Sequence, residues 1–246
     1  MPIALLRVAA MALVLIALLP PHYLSKLSGR RSPWPRRFLG LVGRLAGMRA
    51  SVTGKPQTAR VLFVANHLSW LDILILAGAS GAAFVSRADV ARWPLVGWLA
   101  SLNDTIYVER ADRGAVRGQA DAVRAALAKG QPVALFPEGT TEGGGHVLPF
   151  RPSLLAALFP PLPGVMVQPV AIDYGAAAPE IAWIGDESAL ANAIRMLSRA
   201  RSTPVAIRFL DPIDPAQSGD RKALAALSRD RIVDALGASA PQNDPL

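Results

Sequence analysis

"VLFVANHLSWLDILIL", residues 61–76, decides how the chain folds. Its first five positions are apolar and β-branched-rich, the composition of a buried strand, and they end on two polar residues, Asn66 and His67. An apolar stretch of helical length then resumes over 69–79. A strand, a tight turn and a helix in that order make the first half of a βαβ unit. The turn also poses a chemical question, because His67 and Asp72 are five positions apart. At about 100° per residue their side chains would stand roughly 140° apart on a regular helix. They meet only if His67 sits in the turn ahead of the helix and Asp72 reaches back from its first turn. Ser69 is placed to cap that helix, where a carboxylate at Asp72 also gains from the helix dipole.

Outward from this unit, short apolar runs continue to alternate with helical stretches. Strands are predicted at 82–86, 105–109, 132–136, 165–172 and 204–209, with a further short one at 180–185 opened by Pro179. Helices are predicted near 88–101, 112–129, 151–159, 187–200 and 219–236. The fold class is therefore α/β, a mainly parallel but mixed sheet flanked by helices. Three strands end directly on polar residues: 61–65 on Asn66 and His67, 105–109 on Arg110, and 132–136 on Pro137, Glu138 and Gly139. Parallel strands would bring all of these to one carboxyl-terminal edge, where open α/β sheets place their ligand crevices.

The amino-terminal quarter reads differently. Positions 8–19, "VAAMALVLIALL", are uninterrupted apolar residues inside a run from Pro2 to Leu24 broken only by Arg7 and His22. That approaches the roughly 20 residues of a bilayer crossing. A signal peptide is the competing reading, but no small-residue cleavage site precedes "PPHYL" and one charge alone precedes the run. Residues 1–71 carry ten Lys and Arg and no Asp or Glu, so that a net charge of +8 leaves −2 for everything after. Arginines alternating with apolar residues over 26–50 are attracted to acidic head groups by about 1 kcal/mol per charge. The positive-inside rule then places the body on the cytoplasmic face. We divide the chain into a membrane anchor with a basic interfacial helix (1–55), an α/β domain (56–238) and a flexible tail (239–246).

With no cysteine in the chain, thiol nucleophiles, acyl-cysteine intermediates and thiolate metal sites are excluded. A carboxylate on one nitrogen of His67 would fix its tautomer and leave the other to accept a proton from a hydroxyl. This is the dyad of a serine protease without its serine, so the nucleophile would have to come from substrate. The plainer alternative is a capped helix whose histidine satisfies buried backbone. "FPEGTTEGGG" (136–145) adds a glycine-rich turn able to hold an oxyanion or phosphate, although it lacks the Gly-Lys-Ser/Thr ending of a P-loop. Arg110 and Arg151 flank the same edge, and a guanidinium can grip a phosphate through two bonds.

Four ordered blocks resemble the glycerolipid acyltransferase family that includes the 1-acylglycerol-3-phosphate acyltransferases: "NHLSWLD" (66–72), "IYVER" (106–110), "FPEGT" (136–140) and "VQPVAI" (167–172). The resemblance covers roughly residues 60–175. It implies transfer of a fatty acyl group from a coenzyme A or acyl-carrier-protein thioester to a lysolipid hydroxyl, without metal or bound cofactor. His67 would be the general base and Asp72 its orienting partner. Arg110, Glu138, Gly139 and Thr140 would hold the acceptor's head, with Asn66 arranging the turn. Phosphatidic-acid-forming members often continue the third block with arginine, where this chain has Thr141. That departure weakens the case for a phosphate and resembles acyltransferases of other lysolipids, including lyso-ornithine lipid, with Arg151 a substitute cation. 1-Acylglycerol-3-phosphate stands first as acceptor and lyso-ornithine lipid second. Two other classes remain: a thioesterase, in which water replaces the lipid hydroxyl, and a non-catalytic binder of anionic membranes. Nucleic acid is disfavoured, since no strand surface interleaves basic and aromatic residues.

Overall fold

The computed structural model describes residues 2–29, 31–108 and 113–237, so Arg110 and the tail lie outside the described residues. Two helices lead, α1 (Pro2–Leu27) and α2 (Trp34–Leu45). They are followed by β1 (Met48–Thr53), β2 (Val61–Ala65), α3 (Leu71–Ser80), β3 (Ala83–Arg87), α4 (Pro94–Leu102) and β4 (Ile106–Val108). Then come α5 (Arg113–Ala128), β5 (Val133–Leu135), β6 (Met166–Asp173), the single turn α6 (Ala178–Ile181), α7 (Ala189–Ser198), β7 (Thr203–Phe209) and α8 (Arg221–Leu236).

The seven strands form one sheet in the order β1-β7-β6-β2-β5-β3-β4. From β6 to β4 every pairing is parallel, whereas β7 runs antiparallel to β6 and takes β1 with it. The sheet is thus mixed, as the strand pattern implied. β2 is central and all five of its side chains are buried, the signature of a strand covered on both faces. Val61, Phe63 and Ala65 point into one core with Leu71 and Ile75 of α3 and Met196 of α7. Leu62 and Val64 point into the other with Leu127 of α5 and Leu224 and Ile232 of α8.

Four readings change. The helix expected at 151–159 is a 3-10 segment, Pro152–Leu158. The helix expected at 88–101 is split into a short 3-10 segment, Ala88–Arg92, and α4, because Pro94 forces Trp93 into an extended conformation and opens a new helix. The strand expected at 180–185 is absent: Pro179 lies in the first turn of α6, and the chain then runs as loop. β1, inside the segment read as interfacial helix, is an edge strand of the sheet. Only Met48 of its six residues is buried, so no burial alternation advertised it.

α1 is long and apolar enough to cross a membrane, with a mean hydropathy of 2.5 over its most apolar window and none of that window buried. It nevertheless lies along the domain. The Arg7 guanidinium donates to the Leu197 carbonyl at 3.1 Å, Met11 packs on the core, and the buried His22 bonds Ser32 at 2.8 Å. α2 in turn crosses α3 where two glycines meet. A Cβ on Gly78 would come within 2.6 Å of the Gly40 Cα. Gly78→Ala is therefore expected to lower stability by about 1–3 kcal/mol, despite the roughly 1 kcal/mol that alanine gains in a helix interior. Denaturant midpoints would show it, with Gly145→Ala, whose surroundings are open within 4 Å, as the unaffected comparison.

Candidate active site

The carboxyl-terminal ends of β2, β5 and β6 meet at one rim, and the turn 66–70 leaves β2 there. Asn66 prolongs the β2–β6 ladder with its side chain: its amide donates to the Ile172 carbonyl at 2.9 Å and accepts from the Ile172 N–H at 2.8 Å. His67 follows in the turn, and α3 begins four residues later. Asp72, in the first turn of that helix and fully buried, folds back over it. Its Oδ2 accepts from His67 Nδ1 at 2.9 Å and from the backbone N–H groups of Leu68 and Ser69 at 2.7 and 2.8 Å. Its Oδ1 accepts from the Tyr174 hydroxyl at 2.6 Å.

These bonds fix the proton on His67. An ionised carboxylate has no hydrogen to give, so Nδ1 is the protonated nitrogen and Nε2 is left as the acceptor. Burial, reinforced by the Asp72 charge, pushes the Tyr174 phenol well above its ordinary value, so it stays a donor. Phe136, at the end of β5, stacks on the imidazole at 3.9 Å between ring centroids and 9° between planes. The ring is thus held by an edge and a face, and it lines the cleft with 17% of its side chain exposed.

Glu138 takes a different place from the one expected of it. It is 2% exposed, and its two oxygens accept from the His67 N–H at 2.8 Å and the Leu148 N–H at 2.9 Å. Burial pushes this carboxyl up to about 7, against the pull of those two bonds. It is therefore a positioning group for the turn and does not line the cleft. Asn66, with both amide atoms taken by Ile172, is likewise structural. Gly139 and Thr140 do line the cleft, and the Arg151 guanidinium lies against Gly139, which adopts a φ of 75°. His67, Asp72, Gly139, Thr140 and Arg151 are therefore brought to one rim.

The cleft has a volume of about 700 Å³, within the range of small-molecule sites. Part of its wall is apolar, from Phe84, Val85, Val123, Leu135, Leu154 and Ala157; another part carries Thr140, Thr141, Glu142 and Glu187. Residues 183–187 tie this polar part to the turn. The Thr141 hydroxyl donates to the Trp183 carbonyl, and the Trp183 N–H donates to Leu68 O at 2.9 Å. Arg195 and Asn192 hold Glu187 down to about 2, and the Trp70 indole donates to Asn192 at 2.9 Å. Sequence reasoning missed Tyr174 and the loop at 183–187. The first is within reach, since it follows β6 at the same sheet edge as His67; the second overlaps the strand expected at 180–185 and the start of the helix expected at 187–200.

Such a site can take a proton from a hydroxyl at His67 Nε2 and stabilise the imidazolium through a buried carboxylate, with apolar and polar surface on either side. Comparison with known proteins agrees. The family model described as Acyltransferase matches residues 49–173. The lyso-ornithine lipid O-acyltransferase of Brucella abortus is 35% identical, covering 92% of this chain and 91% of that protein. Its counterpart in Rhodobacter capsulatus is 36% identical over 94% and 89%. The crystal structure of the 1-acyl-sn-glycerophosphate (LPA) acyltransferase from Thermotoga maritima superimposes with a TM-score of 0.61 at 26% identity, covering 85% of this chain and 80% of that one.

Two tests address the site's construction. Tyr174→Phe leaves a buried carboxylate oxygen without its donor and is expected to cost about 1–3 kcal/mol in denaturant unfolding. Glu138, with its folded value raised, contributes stability that is complete below the ordinary carboxyl value and lost as pH rises toward 7. The stability of wild type relative to Glu138→Gln should accordingly fall between about pH 4.5 and 7, and a flat difference would refute the assignment.

Proposed function

The chain belongs to the acyltransferase family as an acyltransferase of lysolipids, and from that premise we propose that it acylates the hydroxyl of a lyso-ornithine lipid with His67 as general base. The observation that carries the mechanism is the dyad: an imidazole whose Nδ1 is committed to a buried carboxylate while its ring lines a cleft. The acceptor's hydroxyl gives its proton to His67 Nε2 as its oxygen bonds the thioester carbonyl carbon. The carbon–sulfur bond then breaks, and the leaving thiolate recovers the proton from the imidazolium. The donor is an acyl-CoA or acyl carrier protein thioester, whose activated carbonyl removes the need for a protein nucleophile.

Three features favour the ornithine head over a phosphate, reversing the order in which the sequence alone ranked them. Relatives at 35–36% identity across nine-tenths of the chain act on lyso-ornithine lipid by name. Position 141 is a threonine whose hydroxyl serves the Trp183 carbonyl, so no cation stands there. Glu142 lines the cleft beside it, a carboxylate that suits an ammonium and opposes a phosphate. Arg151, against Gly139, offers the complementary charge to the ornithine carboxylate, and Thr140 lines the same cleft.

Membrane association fits the same reading. α1 packs along the domain and leaves Leu5, Leu6, Leu13, Ile16 and Leu24 exposed for a leaflet. The basic amino-terminal segment draws it to anionic lipid on the cytoplasmic face.

Purified protein in vesicles, given acyl-CoA or acyl carrier protein donors, is expected to acylate lyso-ornithine lipid in clear preference to 1-acylglycerol-3-phosphate. The reverse preference refutes the acceptor, and free fatty acid released at full rate without any lysolipid refutes the transfer. His67→Ala and Asp72→Asn should each lower turnover by about 10²–10⁴-fold.

A further inference from the structure

We infer that α4 is a second membrane-docking element, seating one lip of the cleft in the lipid surface that α1 contacts. Trp93 at its start and Leu95, Val96 and Trp98 within it are between 38% and 61% exposed. Four large apolar side chains in six residues form the kind of contiguous patch that a helix on a soluble body turns inward. Here the inward face is already used. Leu99 and Leu102 share a narrow crevice with Leu15 and Leu19 of α1 and Phe38 of α2. α4 is therefore packed beside α1, and each helix leaves large apolar side chains exposed.

The occupant follows from chemistry. Residues 90–103, "VARWPLVGWLASLN", carry Arg92 and no acid, in line with the acid-free segment that precedes Asp72. Tryptophan flanking aliphatic residues, with a cation beside them, suits the boundary between head groups and acyl chains.

The position follows from the fold. The 3-10 segment that leads into α4 supplies Val90 to the cleft wall. The Tyr107 hydroxyl of β4 donates to the Gly97 carbonyl at 2.9 Å and pins the helix to the sheet. Ile184 also lines the cleft and is 55% exposed, and Leu190, six residues on, is 71% exposed. The cleft thus has exposed apolar side chains at or near its wall besides those of α4. A lysolipid could pass from the bilayer into the cleft without crossing water.

The inference rests on the proposed reading only in taking a lipid as acceptor, so the first measurement below needs no turnover. The chain has no cysteine, so a single introduced thiol can carry a nitroxide. With full-length Val96→Cys in vesicles of phosphatidylcholine and phosphatidylglycerol, collisions with lipid-soluble oxygen should exceed those with a water-soluble nickel chelate. The order should reverse for Asp230→Cys on α8, which packs on the other core and is solvent-exposed. Nickel dominating at both positions overturns the inference. Leu95→Asp with Val96→Asp should lower turnover of a vesicle-embedded lysolipid about tenfold while leaving a water-soluble short-chain lysolipid within about twofold. Equal loss in the two assays, or loss in neither, overturns it as well.

Discussion

The site depends on satisfying the backbone of three residues that a tight turn strips of regular partners. Every N–H and C=O of His67, Leu68 and Ser69 is bonded. The N–H groups go to Glu138 and to Asp72; the carbonyls accept from Glu142, Trp183 and Asp72. A buried turn with unpaired polar groups would cost about 1–3 kcal/mol for each one, so these bonds set where the imidazole stands before any substrate arrives. Asp72 does two things with one oxygen: it closes the turn and selects the tautomer of His67. Separating the two roles by mutation is therefore impossible at Asp72 itself. Glu138 is the complementary case, since it holds the turn without touching the ring.

The same economy extends to the surrounding loops. Asn66 stitches the turn to β6, Trp183 stitches it to the 183–187 loop, and Trp70 reaches Asn192 on α7. The turn is consequently braced by elements from three distant parts of the sequence. The antiparallel pair β7 and β1 adds no residue to this bracing among the bonds just named. The crevice uses the ends of the parallel strands alone, and the reversed pair lies to one side of it.

The parts legible in the sequence were those whose signal is local. Continuous apolar runs marked β2 and β5 because both faces of each are covered, and the His67 to Asp72 spacing forced the dyad into a turn followed by a helix. Glu138 was legible as a site residue, but its part was misjudged. A carboxylate after a strand looks like a substrate ligand until the fold shows two backbone donors already aimed at it. Tyr174 stands at a legible sheet edge, but its pairing with Asp72 spans 102 positions of chain and leaves no local signal. β1 was illegible because an exposed edge strand has no burial alternation to read. At 180–185 apolar residues resembled a strand, yet Pro179 opens a helical turn there and Trp183 spends its N–H on Leu68 rather than on a neighbouring strand.

Because the dyad is fixed by backbone and buried groups, acceptor choice can change without disturbing it. Thr141 shows how. Its hydroxyl proton goes to the Trp183 carbonyl, which turns a position that carries a cation in many phosphatidic-acid-forming enzymes into part of the scaffold. Glu142, one residue on, holds the turn through its N–H to His67 while its side chain lines the cleft and pairs with His146 at 3.2 Å. The backbone of this loop thus supports the His67 turn, and the Glu142 side chain lines the cleft. A charge reversed at Glu142 changes what the cleft attracts and leaves the bond to His67 in place, which makes the third block the natural place for this fold to vary its substrate.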